Sequence, residues 1–139
     1  MKLAADAIEK YATNAVENVL NLSPYLSTFI ADNDKEPSWD GNVYIFKTDK
    51  KRKDKMHGRI PIQVRGKQCD EFPKKEKTYQ IEVAHLENYL KDGGAILFVV
   101  YIKCQPCLPI HVESKVFYST LTPIKLMKIL ASRKKEDQK

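Results

Sequence analysis

The sequence predicts an α/β fold in which a mixed β-sheet is flanked by helices. Three observations support this prediction: an amphipathic segment near the N-terminus, several short alternating or wholly apolar segments, and an apolar helical segment near the C-terminus. The chain has 139 residues, of which 42% are hydrophobic, which is the size of one ordinary domain. We therefore expect a single domain over residues 1–139.

The first half of the chain begins with a helix, because apolar residues recur every three or four positions from about residue 3 to residue 20. Pro24 cannot continue that helix. Strands are predicted over 26–30, 39–47 and 59–68. The segment 48–58 has almost nothing apolar to bury and ends at Gly58, which predicts a mobile hairpin loop.

In the second half, polar and apolar residues alternate over 78–83, which predicts another strand. A short helix over 85–91 should stop at Gly93 and Gly94. The unbroken apolar run 95–102 is typical of a strand buried on both faces, in the middle of the sheet, with the first helix on one side. A further strand is predicted over 112–121. Thr122 and Pro123 then open a last helix as its cap and first residue, and the charged tail 132–139 is expected to fray.

A catalytic site is indicated by the polar face of the predicted strand 59–68, where Gln63, Arg65 and Lys67 alternate with apolar residues. Asp40 precedes the neighbouring strand. Mg²⁺ prefers oxygen ligands, which the Asp40 carboxylate, the Gln63 amide and the Val64 carbonyl can supply. Cations beside such an ion help to hold a phosphate. The pattern therefore indicates metal-dependent phosphodiester hydrolysis with Mg²⁺ or Mn²⁺.

A purely structural interpretation of the same residues is also open. Polar and apolar residues alternate on any half-exposed strand. An aspartate before a glycine is often a turn former, and Asp40 precedes Gly41.

Four segments carry a family resemblance: Pro-Ser-Trp-Asp-Gly at 37–41, Ile-Gln-Val-Arg-Gly-Lys at 62–67, Leu-Phe-Val-Val-Tyr-Ile at 97–102, and Phe-Tyr-Ser-Thr-Leu-Thr-Pro at 117–123. They resemble an uncharacterised prokaryotic branch of the PD-(D/E)xK, or restriction-endonuclease-like, superfamily. Members often form the N-terminal domain of longer proteins. The resemblance spans nearly the whole chain. It implies a core of order α-β-β-β-α-β and a divalent-metal-dependent DNA endonuclease domain of a restriction, repair or phage-defence protein.

The resemblance also implies roles for individual residues. Asp40 matches the metal-binding aspartate, Gln63 the second ligand position, and Arg65 the place where the family usually has lysine. Glu9 matches an acid that many members carry on the first helix, with Glu17 as the alternative. Glutamine lends a metal no charge and arginine stays protonated, so catalysis would rely on Lys67 or be lost. The second hypothesis is thus an inactive domain of this fold that binds nucleic acid or a protein partner.

The formal net charge of +6 favours DNA as a partner, because basic clusters suit a polyanion. Charged loops can equally serve solubility. Trp39 could stack on a base. A homodimer is also expected, since cutting both strands usually needs two sites. The candidate DNA-binding residues near the site are Trp39, Lys51, Arg52, Lys53, Lys55 and Arg59.

Other classes find little support in the sequence. No apolar run is long enough for a membrane span and the N-terminus lacks signal-peptide features, so we expect a cytoplasmic protein with no membrane partner. Neither GxGxxG nor GxxxxGK occurs, so no small-molecule cofactor is expected. Cys104 and Cys107 form a single CxxC with His111 nearby, which is a weak indication of zinc.

Overall fold

The structure is a computed structural model that describes residues 2–30, 40–74, 81–105 and 111–137. Its elements in chain order are α1 (Ala5–Leu20), β1 (Leu26–Ile30), β2 (Gly41–Phe46), a 3-10 turn (Lys53–Lys55), β3 (Met56–Gln68), α2 (Val83–Lys91), β4 (Ala95–Gln105), β5 (His111–Leu121) and α3 (Pro123–Asp137).

The five strands form one mixed sheet in the order β1-β2-β3-β4-β5. Strands β3 and β4 are parallel, and the other neighbouring pairs are antiparallel. A parallel pair needs a long crossover connection, which here contains α2. The predicted class, an α/β fold with a mixed sheet flanked by helices, is confirmed.

Two apolar layers hold the helices on opposite faces of the sheet. Ala12 and Val16 of α1 pack with Val64, Phe98 and Val100 on the first face. The second face packs against α2 and α3; its buried residues include Leu86, Tyr89, Leu97, Val99, Tyr101 and Leu126. Strand β4 is therefore buried on both sides, as its unbroken apolar run predicts.

The predicted end of α2 and the predicted start of α3 are also confirmed. Helix α2 ends at Lys91, and Gly93 and Gly94 follow with φ values of +85° and +111°, a conformation that favours glycine. At the start of α3, the Thr122 hydroxyl oxygen accepts a hydrogen bond from the Lys125 backbone N–H at 3.3 Å. Such a bond satisfies one of the unpaired donors at a helix N-terminus.

The strand predicted over 78–83 is wrong where it can be checked. Residues 75–80 lie outside the described residues, Ile81 and Glu82 belong to a loop, and Val83 is the first residue of α2. Ile81 packs against the second apolar layer. Short apolar alternation fits both a strand and the approach to an amphipathic helix, and packing against the layer decides between them.

The hairpin loop between β2 and β3 is shorter than predicted. Strand β3 already begins at Met56, and Gly58 pairs with Ile45 inside the ladder. At the base of the loop, the Lys47 backbone N–H donates to the Lys55 carbonyl at 2.8 Å. Backbone pairing thus extends into a polar segment that has no apolar pattern.

The last helix continues to Asp137, beyond Ser132, where the sequence predicts a frayed tail. None of the helices in the described ranges is long and apolar enough to cross a membrane.

Candidate metal and nucleic-acid site

Asp40 lies at the start of β2 with only 5% of its surface exposed. Its backbone N–H donates to the Ile62 carbonyl at 2.9 Å, and its carboxylate oxygen Oδ2 accepts from the Val64 backbone N–H at 2.6 Å. These two bonds bracket Gln63 on β3. The side chain of Asp40 therefore continues the pairing of β2 with β3 and fixes the carboxylate beside Gln63.

Gly41 explains why Asp40 can lie so close to its neighbours. A Cβ atom at this position would overlap the Phe29 carbonyl oxygen of β1 and lie 2.8 Å from the Ile30 Cα. The β1 backbone passes so closely that a side chain would push β1 and β2 apart. The glycine of the 37–41 motif thus holds Asp40 where β1, β2 and β3 meet.

Gly66 plays a matching part on β3. A Cβ atom there would lie 2.9 Å from both the Ala12 Cβ and the Ile8 Cγ2 of α1. The helix therefore rests directly on the strand between Arg65 and Lys67, on the opposite face from their side chains. Gly66 belongs to the 62–67 motif, but its packing role becomes evident only in the tertiary structure.

Gln63 and Arg65 share the second face of the sheet with Asp40 at its edge. Gln63 is 3% exposed and lies opposite Leu97 of β4. The Arg65 Nη1 atom lies 4.0 Å from the Asp40 Oδ2 atom and donates to the Val64 carbonyl oxygen at 3.4 Å. The structure therefore brings the predicted acid, amide and cation together.

Lys67 and Glu9 are placed less centrally. Lys67 is exposed two residues beyond Arg65 and pairs with Tyr101 in the β3–β4 register. Glu9 is exposed on α1, which covers the first face. Glu9 thus lies on the other side of the sheet from Gln63 and Arg65, because α1 packs against the opposite layer.

The electrostatics of the site rest on one buried carboxylate and one half-exposed guanidinium. A carboxylate that accepts from a backbone N–H forms a charge-assisted hydrogen bond, which is stronger than a neutral one. The Arg65 side chain is 38% exposed, so solvent and a phosphate can reach its outer edge. Arg65 therefore partly neutralises Asp40 while it still faces outward.

The donor types at this site fit Mg²⁺ or Mn²⁺, which take carboxylate, amide and carbonyl oxygens. Asp40 and Gln63 supply two such groups. Across the described ranges, no three histidine, cysteine, aspartate or glutamate side chains come together. An ion bound here would therefore draw its further ligands from backbone carbonyls, water or a phosphate of the substrate.

The predicted basic residues of the β2–β3 hairpin lie at the surface. Lys51, Arg52, Lys53 and Lys55 are all exposed. Arg52 forms an exposed ion pair with Asp54 at 3.6 Å, and such pairs contribute little to stability. This segment therefore presents several cations to solvent at the end of β2, whereas Asp40 lies at its start. The expectation that the hairpin residues lie near the site is wrong, because the 6-residue strand separates them from Asp40.

Two residues that the sequence indicates, Trp39 for base stacking and Cys107 of the CxxC, lie outside the described residues. Cys104, the other half of the CxxC, is a half-buried free thiol in β4.

In comparisons with known proteins, no family model matches the chain, and no curated protein or solved structure is significantly similar to it.

Proposed function

We propose that this chain is a divalent-metal-dependent DNA endonuclease domain with a restriction-endonuclease-like core. The proposal is supported by the element order α-β-β-β-α-β formed by α1, β1, β2, β3, α2 and β4, with β3 and β4 parallel. The observation that carries it is the buried Asp40 carboxylate, held by the Val64 N–H at 2.6 Å beside the buried Gln63.

In this proposal the chain's own residues divide the work between ion and phosphate. Asp40 and Gln63 would hold Mg²⁺ or Mn²⁺, whose charge would offset the charge that develops on phosphate and favour deprotonation of the attacking water. Arg65 presents a planar fork of donors that can grip two phosphate oxygens. Lys67, exposed on the same face, adds a second positive charge toward the DNA backbone. Two copies would be needed to cut both strands.

The second candidate is a non-catalytic domain that binds nucleic acid. It is favoured by the position of the Arg65 guanidinium, 4.0 Å from the Oδ2 atom of Asp40. A guanidinium there neutralises Asp40 without an ion. The single carboxylate of the pair also offers a metal less charge than the two acids typical of such nucleases.

Nicking of supercoiled plasmid by the full chain in Mn²⁺ tests the first candidate. We expect nicking by the unaltered protein and none by Asp40→Asn, because the amide removes the only carboxylate of the Asp40–Gln63 pair. Asp70→Asn is the matched control. Asp70 is exposed on the loop after β3, so this variant should nick normally. Normal cutting by Asp40→Asn would show that the site is assigned wrongly.

The variant Arg65→Lys separates the two candidates. A lysine ammonium is compact and can change its protonation when desolvated, which suits it to assist an attacking water. If the domain is an enzyme, this variant should nick at least as fast as the unaltered protein. DNA binding without nicking by either form, in Mg²⁺ and in Mn²⁺, would favour the non-catalytic domain.

A further inference from the structure

One part of the second sheet face carries exposed aromatic and basic side chains next to the candidate site. Helices α2 and α3 pack over the β4 residues Leu97, Val99 and Tyr101. On β1, β2 and β3 the same face presents Phe29, Tyr44, Arg59 and Arg65, which we call the open face. Phe29 is 62% exposed, Arg59 is exposed, and Tyr44 and Arg65 are half-buried.

The strand register groups Phe29, Tyr44 and Arg59 and places Arg65 farther along β3, beside Asp40. Tyr44 pairs with Arg59 across β2 and β3. Phe29 pairs with Asn42, so Phe29 and Tyr44 are diagonal neighbours, about 7–8 Å apart in an antiparallel pair. Along β3, Arg59 and Arg65 are separated by about 20 Å at ~3.4 Å per residue. The aromatic pair thus lies beside one cation, Arg59, and a second cation, Arg65, lies beside Asp40 on the same face.

This combination is more specific than one exposed apolar residue. Single exposed apolar side chains are common and need no explanation. Here an exposed phenyl ring has an aromatic neighbour and two arginines on the same face of the sheet, in a chain of net charge +6. Aromatic rings suit the flat faces of bases, and arginines suit phosphates. Charge and shape therefore complement a polynucleotide.

We propose that the open face binds single-stranded DNA, with bases stacked on Phe29 and Tyr44 and phosphates led by Arg59 and Arg65 toward Asp40. This inference rests on the proposed function and names its substrate class. Aromatic side chains on a sheet surface can stack only on bases whose faces are accessible, and in a duplex these faces are hidden between neighbouring pairs. The open face therefore selects unpaired DNA, while the basic hairpin attracts any polyanion.

Binding of a labelled oligodeoxythymidylate in EDTA, by fluorescence anisotropy, tests the stacking directly. Three probes are compared: the oligonucleotide, an abasic strand of equal length, and a blunt hairpin duplex of equal charge. We expect Phe29→Ala to weaken binding of the oligonucleotide by about tenfold, as loss of one stacked base implies. Binding of the abasic strand should not change, because its phosphates remain.

Matched variants separate the ring from the fold. Tyr44→Ala should weaken oligonucleotide binding, whereas Tyr44→Phe, which keeps the ring, should not. Phe29→Leu keeps an apolar side chain but no ring, and should behave like Phe29→Ala. Tyr118→Ala removes an aromatic that is 66% exposed on the first face of the sheet and should bind normally.

Three outcomes would overturn the inference. Oligonucleotide binding could be unaffected by Phe29→Ala, or the duplex could bind as tightly as the single strand. Light scattering could also show that the unaltered protein is a dimer and that Phe29→Ala is a monomer, which would make the open face a self-association surface.

Failure of the inference is distinguishable from failure of the proposed function, because EDTA removes the need for cleavage. Base-dependent binding by a protein that never nicks would uphold the open face and reject the enzyme. Nicking that requires Asp40 but prefers duplex and ignores Phe29 would uphold the enzyme and reject the open face.

Discussion

The Asp40 carboxylate accepts a hydrogen bond from the Val64 backbone N–H at 2.6 Å, across the junction of β2 and β3. The Asp40 side chain thus replaces a backbone carbonyl as the acceptor for this N–H. Its Oδ2 atom also lies 4.0 Å from the Arg65 guanidinium. The residue most important for the proposed chemistry thus also supports the sheet. Substitutions at Asp40 must therefore be judged for stability as well as for activity.

Asp40→Ala should lower the free energy of unfolding by about 1–3 kcal/mol, because it leaves the buried Val64 N–H without an acceptor. Asp40→Asn keeps an acceptor oxygen and should lose less. Urea denaturation followed by circular dichroism measures both. The control Asp70→Ala alters an exposed position and should stay within about 0.5 kcal/mol of the unaltered protein. Equal stability of Asp40→Ala and Asp40→Asn would contradict a structural role for this hydrogen bond.

Gln63→Glu should make thermal stability depend on metal. The new carboxylate would be buried beside Asp40, so without an ion the melting temperature should fall. Two carboxylates should bind Mn²⁺ more tightly than one carboxylate and one amide. A ligand that binds only the folded state raises its stability, so the melting temperature should rise when Mn²⁺ is added. Thermal melts in EDTA and in Mn²⁺ check this, with Gln105→Glu at the end of β4 as control. If Mn²⁺ shifts the melting temperatures of Gln63→Glu, Gln105→Glu and the unaltered protein equally, Gln63 does not contact the ion.

The glycines beside the site should tolerate alanine unequally. Gly41→Ala would collide with the β1 backbone, and Gly66→Ala with Ala12 and Ile8 of α1. Overpacking of this kind costs about 1–3 kcal/mol, and Gly41→Ala should be the worse because backbone cannot rotate away. Gly58→Ala is the control, since nothing lies within 4 Å of a Cβ there. Unfolding midpoints that are equal for all three variants would argue against these close approaches.

The basic hairpin should contribute to DNA binding through salt-dependent contacts. Replacing Lys51, Lys53 and Lys55 together by Gln should reduce the slope of log affinity against log salt by about 3 if each lysine contacts a phosphate. The control replaces three exposed lysines elsewhere, Lys2, Lys91 and Lys128, by Gln and matches the change in net charge. A slope reduced equally in both triple variants would show a general charge effect rather than a binding segment.

The parts of the fold that the sequence predicted well are those set by local chemistry. Thr122 and Pro123 open α3, and Gly93 and Gly94 follow α2, because capping and positive φ depend on neighbouring residues. The start of β3 and the segment 81–83 were mispredicted for the opposite reason. A polar residue such as Lys55, at the end of the 3-10 turn, accepts the backbone hydrogen bond of Lys47 only because β2 lies beside it.

The candidate site divides in the same way. Alternation along β3 was enough to place Gln63, Arg65 and Lys67 on one face. The contact between Asp40 and Val64 was not predictable, because it joins residues far apart in the chain through a strand register. The exposure of Phe29 was also not predictable from the sequence, since an aromatic residue in a short apolar strand is usually expected in a core.

The α/β class, the alternating faces of the strands, the end of α2 and the start of α3 follow from the amino-acid order alone, because periodicity and capping act over a few residues. The parallel pairing of β3 with β4, the close contacts at Gly41 and Gly66, and the shared exposed face of Phe29 and Arg59 arise only when the chain is folded. These features depend on which strands pair and on which face each helix covers. Long-range burial selects that arrangement, and no short segment encodes it.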